Sequence, residues 1–234
     1  ATQDLLLIIA SGSDKLQRLK FGSVSRYQTK DDMLAAINSQ NPQARLIRRA
    51  VEILKSGGII IYPTDTVYGM GCDLFNKRGI ERIYEIQRRN RKQPLSFICA
   101  DLKDISRYAR VSDEAYKIMK RLLPGPYTFI LEASRVVPKI ILPKRQTTGI
   151  RIPDNRICNA LVAEMGSPVI STSVKNEGGE LLSDPRVIEE IFGKRVDMII
   201  DGGIIAAEPS SVVSLLPEGI EVIRTGKGDV STLL

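Results

Sequence analysis

The sequence predicts an α/β domain with a twisted mixed sheet and helices on both of its faces. From residue 41 onward, segments with apolar residues at helical spacing alternate with short, continuous apolar runs. Capping residues and Gly or Pro separate these segments. Strand candidates cluster near the end of the chain, which adds antiparallel pairing to the otherwise alternating pattern.

Residues 1–40 differ from the rest and are interpreted as an N-terminal extension. They contain one strand candidate, residues 5–10, followed by a basic polar stretch. Residues 41–234 are predicted to form the α/β domain.

The predicted helices begin at residues that favour helix N-termini. Asn41 and Pro42 are predicted to start the first helix, and Gly57 and Gly58 to end it. Later N-caps are predicted at Asn76, Ser112, Asp154 and Asp184. The predicted strands cover residues 59–62, 95–99, 127–131, 149–152, 169–172, 196–200, 211–215 and 221–224.

The composition is that of an ordinary globular domain. Apolar residues make up 43% of the 234 residues and charged residues 26%. No apolar run approaches the roughly 20 residues that span a bilayer, so we expect a cytoplasmic protein that does not associate with membranes. The three cysteines show no metal-ligand spacing, which indicates reduced thiols.

The chain contains no histidine, which excludes several kinds of catalytic site. Ser-His-Asp catalysis, His-ligated zinc and His general bases are all ruled out. The net charge of +7 favours anionic partners such as nucleotides or RNA. Chemistry must therefore use Arg, Lys, carboxylates, hydroxyls and backbone amides.

Five polar segments follow or precede predicted strands, where ligands collect in open α/β sheets. They are PTDTVYGMG (63–71), PGPYT (124–128), TTGIRIPDN (147–155), STSVKN (171–176) and EPSSVVS (208–214). Each segment alone fits an ordinary turn, but five together favour a site for phosphate or carboxylate oxygens. Gly69 and Gly71 are expected to let the backbone approach a ligand closely. No P-loop or dinucleotide fingerprint is present.

The stretch from Lys77 to Lys92 is the most basic, with seven Lys or Arg and two Glu. It fits a solvated helix face followed by a charged turn. It equally fits an anion clamp made by Arg88, Arg89, Arg91 and Lys92.

Seven motifs occur in an order that resembles the YrdC-like proteins, the threonylcarbamoyl-AMP synthases of tRNA modification. The motifs are GGIIIYPTDTVYGMGCD, QRRNRKQPLSF, PGPYTFIL, TGIRIPDN, PVISTSVKN, PSSVVSL and VIRTGKGDV, within about residues 41–230. The resemblance implies a sheet around a positively charged concave cavity. It also implies a nucleotidyltransferase that makes threonylcarbamoyl-AMP and pyrophosphate from ATP, L-threonine and bicarbonate. ATP and Mg²⁺ would enter together as the substrate complex, with no organic cofactor and no assigned metal ligand from the protein. A transfer complex would then deliver the group to tRNA, giving the t6A modification.

The resemblance also implies a set of site residues. The threonine end would comprise Thr64, Thr66, Tyr68 and Arg151. The nucleotide-binding residues would be Arg89, Thr128, Ser171, Ser173, Ser210, Ser211 and Arg224. Arg89 and Lys175 are the candidate catalytic residues, acting on phosphate charge.

Two positions depart from the family pattern and resemble its YciO branch. Gln87 replaces the lysine of a Lys-x-Arg motif, and Lys175 replaces the asparagine of a Ser-x-Asn motif, although Asn176 follows. We hypothesise that Lys175 supplies the missing positive charge.

The sequence leaves three functions open. One is the synthase, and the second is a diverged paralogue that binds a nucleotide, tRNA or double-stranded RNA without efficient synthesis. The third is carbamoyl-adenylate chemistry on another acceptor, as in hydrogenase-maturation proteins. The sequence holds neither the acylphosphatase nor the zinc-finger module that accompanies that chemistry.

Overall fold

The structure, a computed structural model, describes residues 33–90 and 93–233. Its strands are β1 (Leu34–Ala36), β2 (Ile60–Tyr62), β3 (Gly69–Gly71), β4 (Ser96–Ile98), β5 (Ala109–Arg110), β6 (Tyr127–Ala133), β7 (Thr147–Arg151), β8 (Val169–Ser173), β9 (Met198–Asp201), β10 (Ser211–Leu216) and β11 (Gly219–Arg224). Its α-helices are α1 (Ala44–Lys55), α2 (Lys77–Ile86), α3 (Leu102–Tyr108), α4 (Asp113–Leu122), α5 (Arg156–Met165) and α6 (Pro185–Phe192).

The described strands form one mixed sheet in the order β1-β9-β2-β3-β8-β4-β7-β6-β10-β11, with β5 added on β6. Four neighbouring pairs are parallel: β1 with β9, β2 with β9, β4 with β7 and β6 with β10. The other pairs are antiparallel. The predicted mixed α/β architecture is confirmed.

Two apolar layers pack the helices onto opposite faces of the sheet. On one face, α1 and α5 bury residues such as Leu54 and Leu161 against Tyr62 of β2. On the other face, Ile83 of α2 and Phe129 of β6 belong to the larger core, to which α3, α4 and α6 also contribute. Leu54, Leu161, Ile83 and Phe129 are fully buried, and burial stabilises each side chain by roughly 1.5–3 kcal/mol relative to exposure.

Three of the predicted helix starts are confirmed and two are wrong. Asn76, Ser112 and Asp184 accept N-capping hydrogen bonds through their side chains. The first helix instead begins at Ala44, two residues after Pro42, with Gln43 as the N-cap.

The other wrong start is Asp154. Asn155 caps α5, because its Oδ1 accepts hydrogen bonds from Ile157 N at 3.0 Å and Cys158 N at 3.1 Å. The backbone N–H of Asp154 donates to Asp65 instead.

The two glycines after β2 lie inside the sheet. Residues 69–71 form β3 and lie buried between β2 and β8. A Cβ on Gly71 would lie 2.1 Å from the carbonyl oxygen of Ile170, and one on Gly69 would lie 3.2 Å from the Tyr62 ring. Their missing side chains therefore permit close strand packing, and their role in letting the backbone approach a ligand stays a prediction.

The sheet begins earlier than the predicted domain boundary. β1 lies within residues 1–40 and pairs in parallel with β9 at the edge of the sheet. The predicted strand at residues 5–10 lies outside the described residues. Of the described helices, none has the length and apolar character needed to cross a membrane.

Candidate functional site

A continuous strip of small, mostly hydroxyl-bearing side chains crosses one face of the sheet. Ser96 on β4 pairs with Ser171 on β8 and with Gly149 on β7, and paired residues share a face. A Cβ on Gly149 would lie 3.2 Å from the side chains of both Ser96 and Thr128, so Thr128 continues the strip. Ser173 lies two residues beyond Ser171 and extends the strip in the other direction. We call Ser96, Thr128, Gly149, Ser171 and Ser173 the hydroxyl floor.

The turn after β2 is held together by the hydroxyl of Thr64. Thr64 Oγ1 donates to Val67 O at 2.6 Å and accepts from the N–H groups of Thr66 and Val67, each at 3.1 Å. One donor and two acceptors fill the capacity of a hydroxyl. Thr64 therefore shapes the turn, and a direct bond from it to a ligand stays a prediction.

Arg151, at the end of β7, is bound to this turn. Its Nη2 donates to Asp65 Oδ1 at 2.8 Å and to Thr66 Oγ1 at 2.9 Å. Both charged side chains are almost fully buried, with 6% exposure for Arg151 and 8% for Asp65. Arg151 Nε is also buried and has no hydrogen-bond partner among the described residues. A buried donor of this kind is costly unless a water or ligand satisfies it.

The starts of β6 and β10 and the end of β11 meet beside Arg151. Thr128 Oγ1 and Ser210 Oγ are hydrogen-bonded at 2.8 Å. Arg224 donates to Ser210 O from Nη2 at 2.7 Å and from Nε at 3.0 Å. Partial burial, and secondarily the positive charge of Arg151, lower the pKa of Arg224. These contacts bring three predicted nucleotide-binding residues together.

Ser211, by contrast, uses its hydroxyl within the protein. It is fully buried, its Oγ donates to Gly228 O at 2.6 Å, and it accepts from Gly226 N at 2.9 Å. Its contact with a nucleotide stays a prediction.

Tyr68 connects the start of β3 to the loop after β9. Its hydroxyl donates to Gly203 O at 2.8 Å and accepts from Gly202 N at 3.1 Å. Burial raises its pKa to about 12, so the phenol is neutral at physiological pH. It anchors the loop that leads to Ser210.

Arg89 reaches β8 from the segment after α2. Its Nη1 donates to Thr172 Oγ1 at 3.0 Å, and its Nη2 donates to Pro94 O at 2.9 Å. Thr172 lies between Ser171 and Ser173 and faces the opposite side of the sheet from them. Partial burial lowers the pKa of Arg89. Arg91 and Lys92, the other predicted clamp residues of this segment, lie outside the described residues.

The two departures from the family pattern lie near this end of β8. Gln87 Nε2 contacts Met70 Sδ at 3.8 Å. The Lys175 side chain is exposed and bonds to no other described residue. Asn176 is bonded to Glu180 through both ends of its amide, at 2.9 Å and 2.7 Å. Asn176 therefore holds a hairpin turn.

Sequence reasoning missed two residues of the site. Ser96 belongs to the hydroxyl floor, and Lys227 Nζ donates to the backbone oxygen of Asp65 at 2.6 Å. Ser96 lies in the motif QRRNRKQPLSF and Lys227 in the motif VIRTGKGDV, and membership of these motifs is the sequence signal that could have identified them.

Two cavities in the described part of the chain lie away from these residues. One, of about 350 Å³, lies between α4 and the β10–β11 turn, and the other, of about 250 Å³, lies between α3 and α5. Neither is lined by a predicted site residue. Within the described residues no group of three or more Cys, Asp or Glu could hold a metal ion. The positively charged cavity implied by the resemblance stays a prediction.

Comparison with known proteins places these features in a family. Residues 52–226 match the family model Sua5_yciO_yrdC, described as "Telomere recombination". The uncharacterized protein YciO of Escherichia coli K12 is 42% identical over 200 residues, covering 85% of this chain and 97% of its own. A threonylcarbamoyl-AMP synthase of Coxiella burnetii is 31% identical over 159 residues, covering 67% of this chain and 84% of its own.

Solved structures show the same relationship. The crystal structure of E. coli YciO superposes with a TM-score of 0.83 at 40% identity, covering 87% of this chain and 100% of that one. The crystal structure of P. abyssi Sua5 complexed with L-threonine superposes with a TM-score of 0.78 at 27% identity. The match covers 83% of this chain and 57% of the Sua5 chain.

Proposed function

Because this chain belongs to the Sua5/YciO/YrdC family, we propose that it makes threonylcarbamoyl-AMP from ATP, L-threonine and bicarbonate. The observation that carries the proposal is the position of Arg151. Its Nη2 bonds to the turn of residues 63–67, two positions along β7 from Gly149 of the hydroxyl floor, and its buried Nε has no partner among the described residues. A relative named as a synthase and a Sua5 structure with L-threonine support the substrate class.

The proposed chemistry balances without a histidine. The amine of threonine bonds to the carbon of bicarbonate with loss of water, which gives a carbamate. A carbamate oxygen then attacks the α-phosphorus of ATP, and the α–β phosphoanhydride bond breaks so that pyrophosphate leaves with the electron pair. Mg²⁺ in the ATP complex shields the phosphate charge. The protein contributes positioning and electrostatic stabilisation.

We assign roles within this reaction to groups that the fold brings together. Arg151 and Thr66 would bind the amino acid at the turn, while Thr64 and Tyr68 would hold the walls in place. The nucleotide oxygens would meet four hydroxyl-bearing residues and one arginine: Thr128, Ser171, Ser173, Ser210 and Arg224. Arg89 bonds to Thr172, which faces away from the hydroxyl floor, and the exposed Lys175 bonds to no other described residue, so their part in balancing phosphate charge stays a prediction. We further propose that the protein acts in the cytoplasm, where a transfer complex passes the product to tRNA.

A second candidate is a paralogue that binds a nucleotide or RNA without efficient synthesis. It is favoured by Gln87, which contacts Met70 in place of a lysine, and by Asn176, whose amide is occupied by Glu180. The net charge of +7 suits tRNA or double-stranded RNA. Such binding should weaken steeply as salt rises, because phosphate contacts release counterions.

One assay separates the two candidates. Pyrophosphate release is measured with ATP and Mg²⁺, and then with L-threonine or bicarbonate omitted in turn. Synthase activity requires both co-substrates. ATP binding by calorimetry with no pyrophosphate above background, together with salt-sensitive RNA binding, would favour the paralogue instead.

A further inference from the structure

Residues 225–228 form a tightly held loop across the site, which we call the strap. Lys227 N donates to Pro209 O at 2.9 Å, and Ser211 Oγ bonds to both Gly226 N and Gly228 O. A Cβ on Gly226 would lie 2.3 Å from Pro209 O, and one on Gly228 would lie 2.4 Å from the Tyr127 ring. The strap therefore packs more closely than other residue types would allow, and this fixes its backbone.

The side chain of Lys227 crosses from the strap to the turn after β2. Its Nζ donates to the backbone oxygen of Asp65 at 2.6 Å, between residues 162 positions apart. The carboxylate of Asp65 is already paired with Arg151 at 2.8 Å. Two cations thus converge on one aspartate through different oxygen atoms, and only Arg151 is neutralised by it.

The strap consequently carries uncompensated positive charge. No carboxylate forms an ion pair with Lys227 or Arg224 in the described part of the chain. The Arg224 guanidinium instead donates to Ser210. The positive charge of Arg151 is the second cause, after partial burial, of the lowered pKa of Arg224.

The ammonium of Lys227 retains binding capacity. A lysine ammonium has three donors, and the bond to Asp65 uses one. Holding a long lysine side chain in place costs rotamer entropy, which a hydrogen bond from a charged donor can offset. The two remaining donors of the ammonium are available to an oxyanion.

We propose that Lys227 is a substrate-binding residue that, with Arg224, takes an oxyanion at the Asp65 turn. The proposal rests on the proposed function. The oxyanion is either the carboxylate of the amino acid or a phosphate of the nucleotide. Sequence reasoning and family resemblance assigned no role to this lysine.

The test measures binding of L-threonine alone and of Mg²⁺–ATP alone by calorimetry at low salt. Lys227→Gln keeps the length and a donor but removes the charge, and Lys227→Arg keeps the charge. Lys194→Gln is the matched control, because Lys194 is exposed and far in sequence from the site residues. We expect Lys227→Gln to weaken one of the two ligands about tenfold, with Lys227→Arg and the control within about threefold of the wild type, in line with one lost charge-assisted bond. The ligand that weakens identifies the oxyanion.

Unchanged binding of both ligands by Lys227→Gln would overturn the proposal, as would a wild type that binds neither. Equal weakening by Gln and Arg, with a lowered melting temperature, would show a structural role only and would also overturn it. Loss of the proposed function is distinguishable from these results. A wild-type protein that binds threonine and ATP but releases no pyrophosphate would contradict the proposed synthase activity. The role of Lys227 would then still be decided by the binding measurements on its variants.

Discussion

Arg151 and Asp65, 86 residues apart in the chain, form a buried ion pair with 2.8 Å between Nη2 and Oδ1. The pair joins the end of β7 to the turn after β2. The other carboxylate oxygen accepts from Asp154 N at 3.1 Å, so Asp65 also fixes the approach to α5. The contacts that hold the turn in place are thus the same ones that orient the arginine proposed to bind substrate.

The first prediction concerns this pair. Asp65→Ala should lower the free energy of unfolding by about 3–5 kcal/mol, because it leaves the buried charge of Arg151 without a partner. Urea denaturation at neutral pH measures the change. Glu177→Ala is the control, since Glu177 pairs with Arg88 at 2.8 Å but both side chains are about two-thirds exposed. The control substitution should lower the free energy of unfolding by less than about 1 kcal/mol. Equal losses in the two variants would contradict the assignment of Asp65.

The second prediction concerns the hydroxyl floor. Gly149→Ala places a methyl group 3.2 Å from the side chains of Ser96 and Thr128, where the nucleotide is proposed to lie. We expect ATP binding to weaken about tenfold, which corresponds to about 1.4 kcal/mol. Threonine binding should stay within about threefold. Gly178→Ala is the control, because its nearest new contact is a side-chain oxygen at 3.3 Å on the 174–182 hairpin. Unchanged ATP affinity in Gly149→Ala would rule the floor out as the nucleotide surface.

The third prediction concerns Tyr68 at alkaline pH. Its pKa is raised from 10.0 to about 12, so the folded state favours the neutral phenol. The stabilisation is complete below pH 10 and is lost as the pH rises toward 12, at up to about 1.4 kcal/mol per pH unit. Tyr68→Phe removes this dependence together with two hydrogen bonds.

The measurement is the difference in unfolding free energy between wild type and Tyr68→Phe across this pH range. Burial also raises the pKa values of Tyr62 and Cys72, but these groups titrate in both proteins and cancel in the difference. The difference should shrink above pH 10. A difference that is constant with pH would show that Tyr68 is not buried as described.

The fourth prediction concerns the departures from the family pattern. Gln87→Lys combined with Lys175→Asn restores the family residues at both positions. Because neither position carries the family residue in the wild type, we expect the double variant to release pyrophosphate at least about tenfold faster, a change of about 1.4 kcal/mol in the barrier. The control Lys194→Asn, on an exposed turn, should leave the rate of pyrophosphate release unchanged. No gain in the double variant would show that these positions do not limit the rate.

Local features of the fold were predictable from the sequence. Asn76 and Ser112 cap helices through bonds to residues three positions away, so their role is visible in a short stretch of chain. β3 was missed because Gly-Met-Gly has low strand propensity. The close packing of Gly71 involves a neighbour 99 positions away, the carbonyl oxygen of Ile170.

The site was predictable as a set of residue types and not as a geometry. Motif order identified Arg151 and Thr66, which the fold brings into contact, and Thr128 and Ser210, which form a second contact. Some hydroxyl groups already bond to other parts of the protein, as Ser211 does to Gly228. These bonds depend on contacts between distant segments of the chain. The bond between Lys227 and Asp65 spans 162 positions, and no spacing rule links residues so far apart.

The proposed synthase joins bicarbonate to threonine and to AMP. Its activity is tested by following ¹⁴C from bicarbonate into products separated by chromatography, with unlabelled ATP, Mg²⁺ and L-threonine present. We expect one labelled product that also contains AMP and threonine, that forms together with pyrophosphate, and that disappears when threonine is omitted. A wild-type protein that binds ATP and threonine but incorporates no label into an AMP-containing product would contradict it.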